Sequence, residues 1–392
     1  MNTNRFVEIV LIRKIKNMSK SLVYDTTLEI NMSNLVSNLT YFRSLLSPKT
    51  KIMVMVKAFS YGLGTYEVAK LLEENKVDYL GVANIYEGIE LRNAGIHLPI
   101  MVMKPEIDSF NLMVEFQLTP AIFSIHALNK LMVTLAAEKR YNSKNPYIIS
   151  IKLDTGMHRL GFDEHEIEEL IQDLKQHTNL KIESIFSHLV ATDEEKHDEF
   201  TQQQIELFNK MADSISKEFN YHMDRHILNS NGIIRFNAAQ MDMVRLGIGL
   251  YGVSSELASQ RKLLSVSSLK SKIAQLKNIK KGETVGYNRN GLATKDLITA
   301  TIPVGYADGL NRKLGNGNWQ MIVNGKKVST IGNVCMDMVM IDVTNVPCKE
   351  GDEVFVFSEN NSIAEMAKCI HTIPYEILTA YSPRVKRIFV KK

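Results

Sequence analysis

Several chemistry-bearing side chains of this 392-residue chain stand directly after short apolar runs. Val56-Lys57-Ala58-Phe59-Ser60-Tyr61-Gly62-Leu63-Gly64 places a lone lysine at the end of one run, with a tyrosine and two glycines just beyond it. A desolvated lysine loses its proton readily, which is what Schiff-base chemistry requires. The plain alternative is an apolar stem lying along the protein while the amine reaches water. Ile151-Lys152-Leu153-Asp154-Thr155-Gly156-Met157-His158-Arg159-Leu160-Gly161 contributes two further cations and an aspartate, and arginine forks suit carboxylates and phosphates. Ser187-His188, Asn229-Ser230-Asn231-Gly232 and Arg245-Leu246-Gly247-Ile248-Gly249 follow three later runs. Asn-Ser-Asn-Gly ahead of an apolar helix start offers hydroxyls and amides to a phosphate. Taken singly, His188 reads as a satisfied core histidine and Ser230 as a helix cap. Taken together, lysine, histidine, serine and arginine at successive strand ends are hard to explain as structure alone.

Two rival chemistries lack their residues. His158, His165, His188 and His226 show neither HExxH nor a comparable pair, so no metal is expected, and no GxSxG elbow marks a serine nucleophile.

These groups converge only if the runs are strands of one barrel. Ile52 to Val56, Tyr79 to Ala83, Pro99 to Val102, Pro120 to Phe123, Tyr147 to Leu153, Ile182 to Phe186, His226 to Leu228 and Met243 to Leu246 read as buried strands. Amphipathic segments such as Thr65 to Asn75, His165 to His177 and Glu194 to Glu218 alternate with them from Leu28 onward. Such an alternation, about eight units long, predicts an α/β fold with a (β/α)₈ TIM barrel, whose working residues sit at the C-terminal ends of the strands. After Leu263 the pattern becomes mostly β: Ser265 to Leu276, Ile298 to Ile302, Trp319 to Val323, Val328 to Ile331, Met338 to Val343 and Glu353 to Phe357, with a single helix at Ile363 to Cys369. Asn324-Gly325 between two of these runs is a hairpin signal, because both residues tolerate positive φ. The expected organisation is a disordered extension or misassigned start over 1–22, a barrel over 23–263 and a C-terminal β domain over 264–392.

Composition limits the partners. Hydrophobic residues make up 45% and charged residues 23%, and the formal charge is +4 without a basic stripe, so nucleic acid is not an expected partner. The run Phe6 to Ile12 contains Glu8 and is followed by Arg13, Lys14 and Lys16, which argues against a signal or membrane segment. Three cysteines without CxxC spacing, Cys335, Cys348 and Cys369, fit a reducing cytoplasm.

From Tyr24 to Phe389 the chain resembles the bacterial alanine racemases, enzymes of pyridoxal 5'-phosphate (PLP). The segment around Lys57 is close to the family's VKANAYGHG. Asp154 to Phe162, Arg245 to Gly252, Val285-Gly286-Tyr287, Pro303 to Gly309 and Val334-Cys335-Met336-Asp337 follow in the family's order. The resemblance implies a barrel plus a β domain, a head-to-tail homodimer with shared active sites, and interconversion of L- and D-alanine for peptidoglycan precursors. It implies that Lys57 carries PLP and serves as one base, and that Tyr287, from the partner subunit, is the other. Arg245 would face the pyridine nitrogen with support from His226, and His188 would lie beside the ring. Tyr61, Ser230, Gly247 and Ile248 would hold the phosphate. Arg159 and the Met336 backbone would hold the substrate carboxylate, with Tyr306, Cys335 and Asp337 also from the partner, and Lys152 matches a lysine that some members carry carbamylated. Pro383 stands where some members have a phosphate-binding tyrosine, and Phe59, Leu63 and Leu246 also depart from the family pattern. A racemase acting on serine or lysine, or a non-catalytic PLP-binding barrel, are the alternatives.

Overall fold

The computed structural model describes residues 23–391, so the expectation for 1–22 lies outside the described residues. Two compact units are present. Among the described residues, one comprises Ile30–Ser267, Thr372–Ala380 and 389–391; the other comprises 23–29, Ser268–His371 and Tyr381–Ile388.

After β1 (Thr27–Asn31), the first unit contains β2 (Lys51–Met55), β3 (Tyr79–Val82), β4 (Ile100–Val102), β5 (Thr119–Ile122), β6 (Tyr147–Lys152), β7 (Leu180–Phe186), β8 (Asp224–His226) and β9 (Met243–Leu246). They form one parallel sheet in the order β8-β7-β6-β5-β4-β3-β2-β9. No regular ladder joins β8 to β9, but the Asp242 and Arg245 amides donate to the Arg225 and Leu228 carbonyls across that gap. The result is a nearly closed (β/α)₈ barrel. All four residues of β3, β5 and β9 are buried, as expected of strands with side chains inside the barrel on one face and helices on the other. Helix Ile167–Lys175 shows the covering layer: Ile167, Leu170 and Leu174 face inward, each contributing about 1.5–3 kcal/mol on burial. The expected segment Glu194 to Glu218 is helical over Asp198–Ser216 after a short 3₁₀ turn.

Inside the barrel a polar ladder crosses the strands. Ser150 and Ser184 share a 2.8 Å hydrogen bond, and Ser184 Oγ lies 3.1 Å from His226 Nε2. A bulge between Ile149 and Ser150 shifts the register of β6 so that Lys152 pairs with Phe186.

The other unit is built on a sheet of β10 (Ser267–Lys272), β11 (Gln275–Ile279), β14 (Leu297–Ile302), β15 (Gln320–Val323), β16 (Lys326–Ile331), β17 (Val339–Asp342), β18 (Glu353–Phe357) and β19 (Lys386–Val390). With β1 these make nine strands in the order β11-β14-β17-β16-β15-β18-β10-β1-β19, beside a two-stranded ribbon of β12 (Thr284–Val285) and β13 (Gly291–Leu292). Asn324 and Gly325, at φ 47° and 76°, turn the β15–β16 hairpin, as their types predict.

Three sequence readings are corrected. The run Ser265 to Leu276 is two strands, because the chain changes partner at Ile273-Ala274: β10 pairs with β18 and β11 with β14. Leu28 does not open the barrel alternation but lies in β1 of the nine-stranded sheet. A second helix after residue 264, Pro374–Ala380, begins on a proline whose fixed φ suits a first helical turn.

Candidate active site

Directly after β2 the backbone does something costly. Ala58, Phe59, Ser60 and Tyr61 have φ of 52°, 57°, 51° and 55°, making a left-handed turn of four non-glycine residues. At about 1–2 kcal/mol per residue this conformation persists only where its surroundings impose it. The Ser60 amide donates to the Val56 carbonyl and that of Gly62 to the Ala58 carbonyl. Gly62, at φ 82°, must be glycine, since a Cβ there would sit 2.2 Å from the Leu378 carbonyl oxygen. The Glu87 carboxylate accepts from the Ala58 amide with one oxygen and from the Ala83 amide with the other, both at 2.7 Å.

Lys57 thereby lines a cavity of about 150 Å³ with Met55, Tyr61, Met103, Lys152, Arg159, Phe186, His188, Asn229, Ser230, Arg245, Gly247, Ile248 and Tyr375. Eight of the residues singled out from sequence, Lys57, Tyr61, Arg159, His188, Ser230, Arg245, Gly247 and Ile248, meet here. His226 stands behind them at the end of the polar ladder.

Arg245 is only 2% exposed, and among the described residues it has no carboxylate partner. Its Nη1 donates to His226 Nδ1 at 2.8 Å and to the His226 carbonyl. Its Nη2 donates to the Ser187 and Ile227 carbonyls, and His188 Nδ1 lies 3.2 Å away. Guanidinium has only donors, so His226 Nδ1 acts as an acceptor and its ring carries the proton on Nε2. Burial, then the Arg245 charge, holds both histidines well below their ordinary pKa. Burial alone pulls Arg245 down to about 9. Among the described residues nothing accepts from its Nε, leaving that donor for a ligand.

Asn229, not Ser230, caps the helix Ser230–Arg235, accepting from the Gly232 amide at 2.9 Å. Ser230 Oγ instead gathers the Gly247 and Gly249 amides at 2.9 and 3.2 Å. A Cβ on Gly247 would lie 2.8 Å from the Tyr61 hydroxyl oxygen, so glycine here keeps this corner open without displacing Tyr61. Burial lowers the Lys57 pKa, helped by Arg159 and Arg245 and opposed by Glu87. Lys152 falls to about 8 through burial, Arg159 and Arg245. Four cations, Lys57, Lys152, Arg159 and Arg245, thus share one small cavity, an arrangement suited to a ligand with more than one anionic group.

Sequence reasoning missed Tyr375. It projects from Pro374–Ala380, its ring centroid 5.9 Å from that of Tyr61, and burial followed by the Asp193 charge pushes its hydroxyl up to about 12. Pro383 does not line this cavity.

The remaining candidates cluster within the β unit. Tyr287, Cys335, Met336 and Asp337 line a groove with Gly286 and Met340. Tyr287 is 69% exposed and Met336 53%. Asn288 and Arg289, at φ 58° and 57°, follow Tyr287, and Asn333 Nδ2 donates to its carbonyl. Tyr306 is locked to the same loop, its amide donating to the Cys335 carbonyl. Arg384 donates to Asp337 at 2.8 Å.

Two histidine–carboxylate groups, Asp163 with His165 and Glu166, and His222 with Asp224 and Asp242, lie close enough to share an ion. Neither includes a cavity residue. The first is explained by a capping box and the second by ion pairs that include Lys51. Among the described residues no helix is long and apolar enough to cross a membrane.

Comparison with known proteins gives one answer. The alanine racemase N-terminal domain family matches residues 30–255, and the alanine racemase C-terminal domain family matches 266–389. Alanine racemase 2 of Caldanaerobacter subterraneus subsp. tengcongensis is 36% identical over 374 residues, covering 93% of this chain and 95% of that protein. The structure of alanine racemase from Clostridium difficile 630 superposes with a TM-score of 0.88 at 32% identity, covering 95% of this chain and 97% of that one. Alanine racemase from Bartonella henselae, solved with covalently bound pyridoxal phosphate, gives 0.84 at 26% identity, with 94% and 100% covered.

Proposed function

Because the chain belongs to the alanine racemase family, we propose that it interconverts L- and D-alanine with PLP held at Lys57, by a two-base mechanism. The observation that carries this reading is the convergence of Lys57, the carboxylate-free Arg245 and the Ser230–Gly247 corner in one cavity. These residues fit the cofactor. A buried guanidinium with a spare Nε suits a ring nitrogen that stays unprotonated, since arginine does not yield its proton. The glycine corner beside Tyr61 and Ser230 suits a phosphate, with Gly247, Ile248 and Tyr375 as further contacts, and the low-pKa amine of Lys57 suits a carbonyl.

Bound PLP supplies an electron sink that makes the substrate Cα–H acidic. The protein decides where the proton goes. Lys57, whose pKa is lowered by burial and by the neighbouring Arg159, takes or returns the proton on the face of D-alanine. His226 and His188 hold Arg245 in place, and His188 would lie beside the cofactor ring. Arg159 anchors the substrate carboxylate.

The second base is Tyr287, serving the face of L-alanine. In this reading the barrel and the β domain complete each other in a head-to-tail homodimer. The partner supplies Tyr287, Tyr306, Cys335, the Met336 backbone and Asp337. Exposure of Tyr287, Tyr306, Met336 and Met338 supports this, since a contiguous exposed apolar surface calls for a cover. The three free cysteines fit the cytoplasm, where D-alanine would enter peptidoglycan synthesis.

Incubating the PLP-loaded protein with either enantiomer in D₂O tests the assignment. Deuterium is expected at Cα of both enantiomers. No exchange from either, with PLP bound, would sink the racemase reading.

A further inference from the structure

Nothing in the preceding mechanism explains why the chain accepts four consecutive left-handed residues at the point where Lys57 enters the cavity. Each needs an external constraint, and two of the turn's own amide bonds, Ser60 to Val56 and Gly62 to Ala58, leave the Ala58 amide without a backbone partner. That amide is the first after Lys57. Its acceptor is Glu87 Oε1 at 2.7 Å, while Oε2 of the same carboxylate takes the Ala83 amide, just beyond β3, at 2.7 Å. The Glu87 backbone is itself fixed, its amide donating to Asn84 Oδ1 at 3.0 Å at the head of helix Ile85–Asn93. One carboxylate therefore ties the turn after Lys57 to the neighbouring strand and to a capped helix start.

We propose that Glu87 is the positioning residue of Lys57, its carboxylate holding the left-handed turn that aims the lysine amine into the cavity. This rests on the reading of Lys57 as the PLP-carrying base. Among the other charged and titratable groups facing Lys57, Arg159, Arg245 and Lys152 are cationic and His188 is neutral. Glu87 is the anion that favours the protonated amine, opposing Arg159 and Arg245. It therefore has a second effect. It keeps Lys57 from losing its affinity for protons altogether, which the lysine needs in the direction where it returns one.

The test uses the PLP-loaded enzyme with Glu87→Gln and Glu87→Asp. Glutamine keeps the length but offers one acceptor and no charge, whereas aspartate keeps the charge and falls short of both amides. In E87Q, hydrogen exchange at the Ala58 amide should rise about tenfold, as expected when one hydrogen bond is lost. Its kcat should fall about 10- to 100-fold, the scale of a misplaced reacting group, with little change in KM. The acid limb of exchange from D-alanine should move to lower pH, because the unprotonated lysine is then easier to reach. E87D should show the raised exchange and lowered kcat with the acid limb in its original place. Unchanged Ala58 exchange and kcat overturn the proposal, and E87D alone decides the matter if E87Q does not fold. Borohydride reduction of the unaltered protein separates the role of Lys57 from that of Glu87. A PLP label on a lysine other than Lys57 removes the reading beneath the proposal, whereas a label on Lys57 beside unaltered E87Q behaviour removes the role of Glu87 alone.

Discussion

Lys57 and Tyr287 both stand next to left-handed backbone, and their surroundings are otherwise opposite. Lys57 enters a cavity whose polar groups are fixed in advance by the Ser150–Ser184–His226–Arg245 ladder and by Glu87. Tyr287 is 69% exposed, on a rim with Met336 and Met338 also open to solvent. Cations crowded into one small cavity repel one another unless an anionic ligand answers them, and an exposed tyrosine beside exposed methionines has nothing to act on. In the proposed reading the barrel unit holds the cofactor, while the β unit finishes the site of its partner. This difference makes distinct predictions for the two residues.

Lys57→Ala should give the largest effect. Racemisation in both directions should fall by at least about 10³-fold, the upper range for losing a general base, and borohydride should no longer fix the cofactor to the protein. Tyr287→Phe should leave PLP content intact and lower exchange from L-alanine by about 10²-fold, with exchange from D-alanine much less affected. Equal losses from the two enantiomers would erase the contrast between the two residues.

Arg245→Gln probes the barrel unit without touching the β unit. The Ser187, His226 and Ile227 carbonyls would lose their shared donor in a buried setting, costing about 1–3 kcal/mol of stability for a carbonyl left unsatisfied. A denaturant titration of the cofactor-free protein measures it, and a midpoint equal to that of the unaltered protein would show that the ladder does not depend on Arg245. The neutral histidines make a related prediction about pH. His188 and His226 have folded pKa values well below the unfolded value of about 6.5, so below that pH the unfolded chain binds protons that the folded chain refuses. Stability should therefore fall as pH drops through this range, approaching about 2.7 kcal/mol per pH unit when both contribute fully. Thermal midpoints between pH 7.5 and 5.5 would reveal it, and a flat profile would mean that the rings take up protons in place.

The barrel was legible because its strands are short, mostly buried runs, and because a barrel brings their C-terminal ends together whatever lies between them. This is why Lys57, His188, Ser230 and Arg245 group together from sequence alone. Features made by partnering were not legible. The break at Ile273-Ala274 has no turn residue to announce it and exists because two different strands are waiting on either side. The strands Thr27–Asn31 and Lys386–Val390 are single stretches far apart in sequence that pair in the sheet. Glu87 reads as one more exposed helical acid until the Ala58 amide appears opposite it.

Tyr375 is the sharpest case of this limit, and it yields the smallest predicted effect. The sequence drew attention to Pro383, where a phosphate hydrogen bond looked doubtful, yet the cavity is lined by a tyrosine eight positions earlier. The connection is local to the turn after Lys57: Gly62 approaches the Leu378 carbonyl so closely that a Cβ would lie 2.2 Å from its oxygen, which seats the short helix Pro374–Ala380 with Tyr375 beside Tyr61. If the Tyr375 hydroxyl holds the phosphate, Tyr375→Phe should weaken PLP retention by about five- to tenfold, the worth of one hydrogen bond, without moving the ratio of L- to D-alanine exchange. Pro383→Tyr should leave retention unchanged. Dialysis against apo-forming conditions followed by PLP titration measures both. A Tyr375→Phe protein that holds PLP as tightly as the parent would return the phosphate contact to Tyr61, Ser230 and the glycine corner alone.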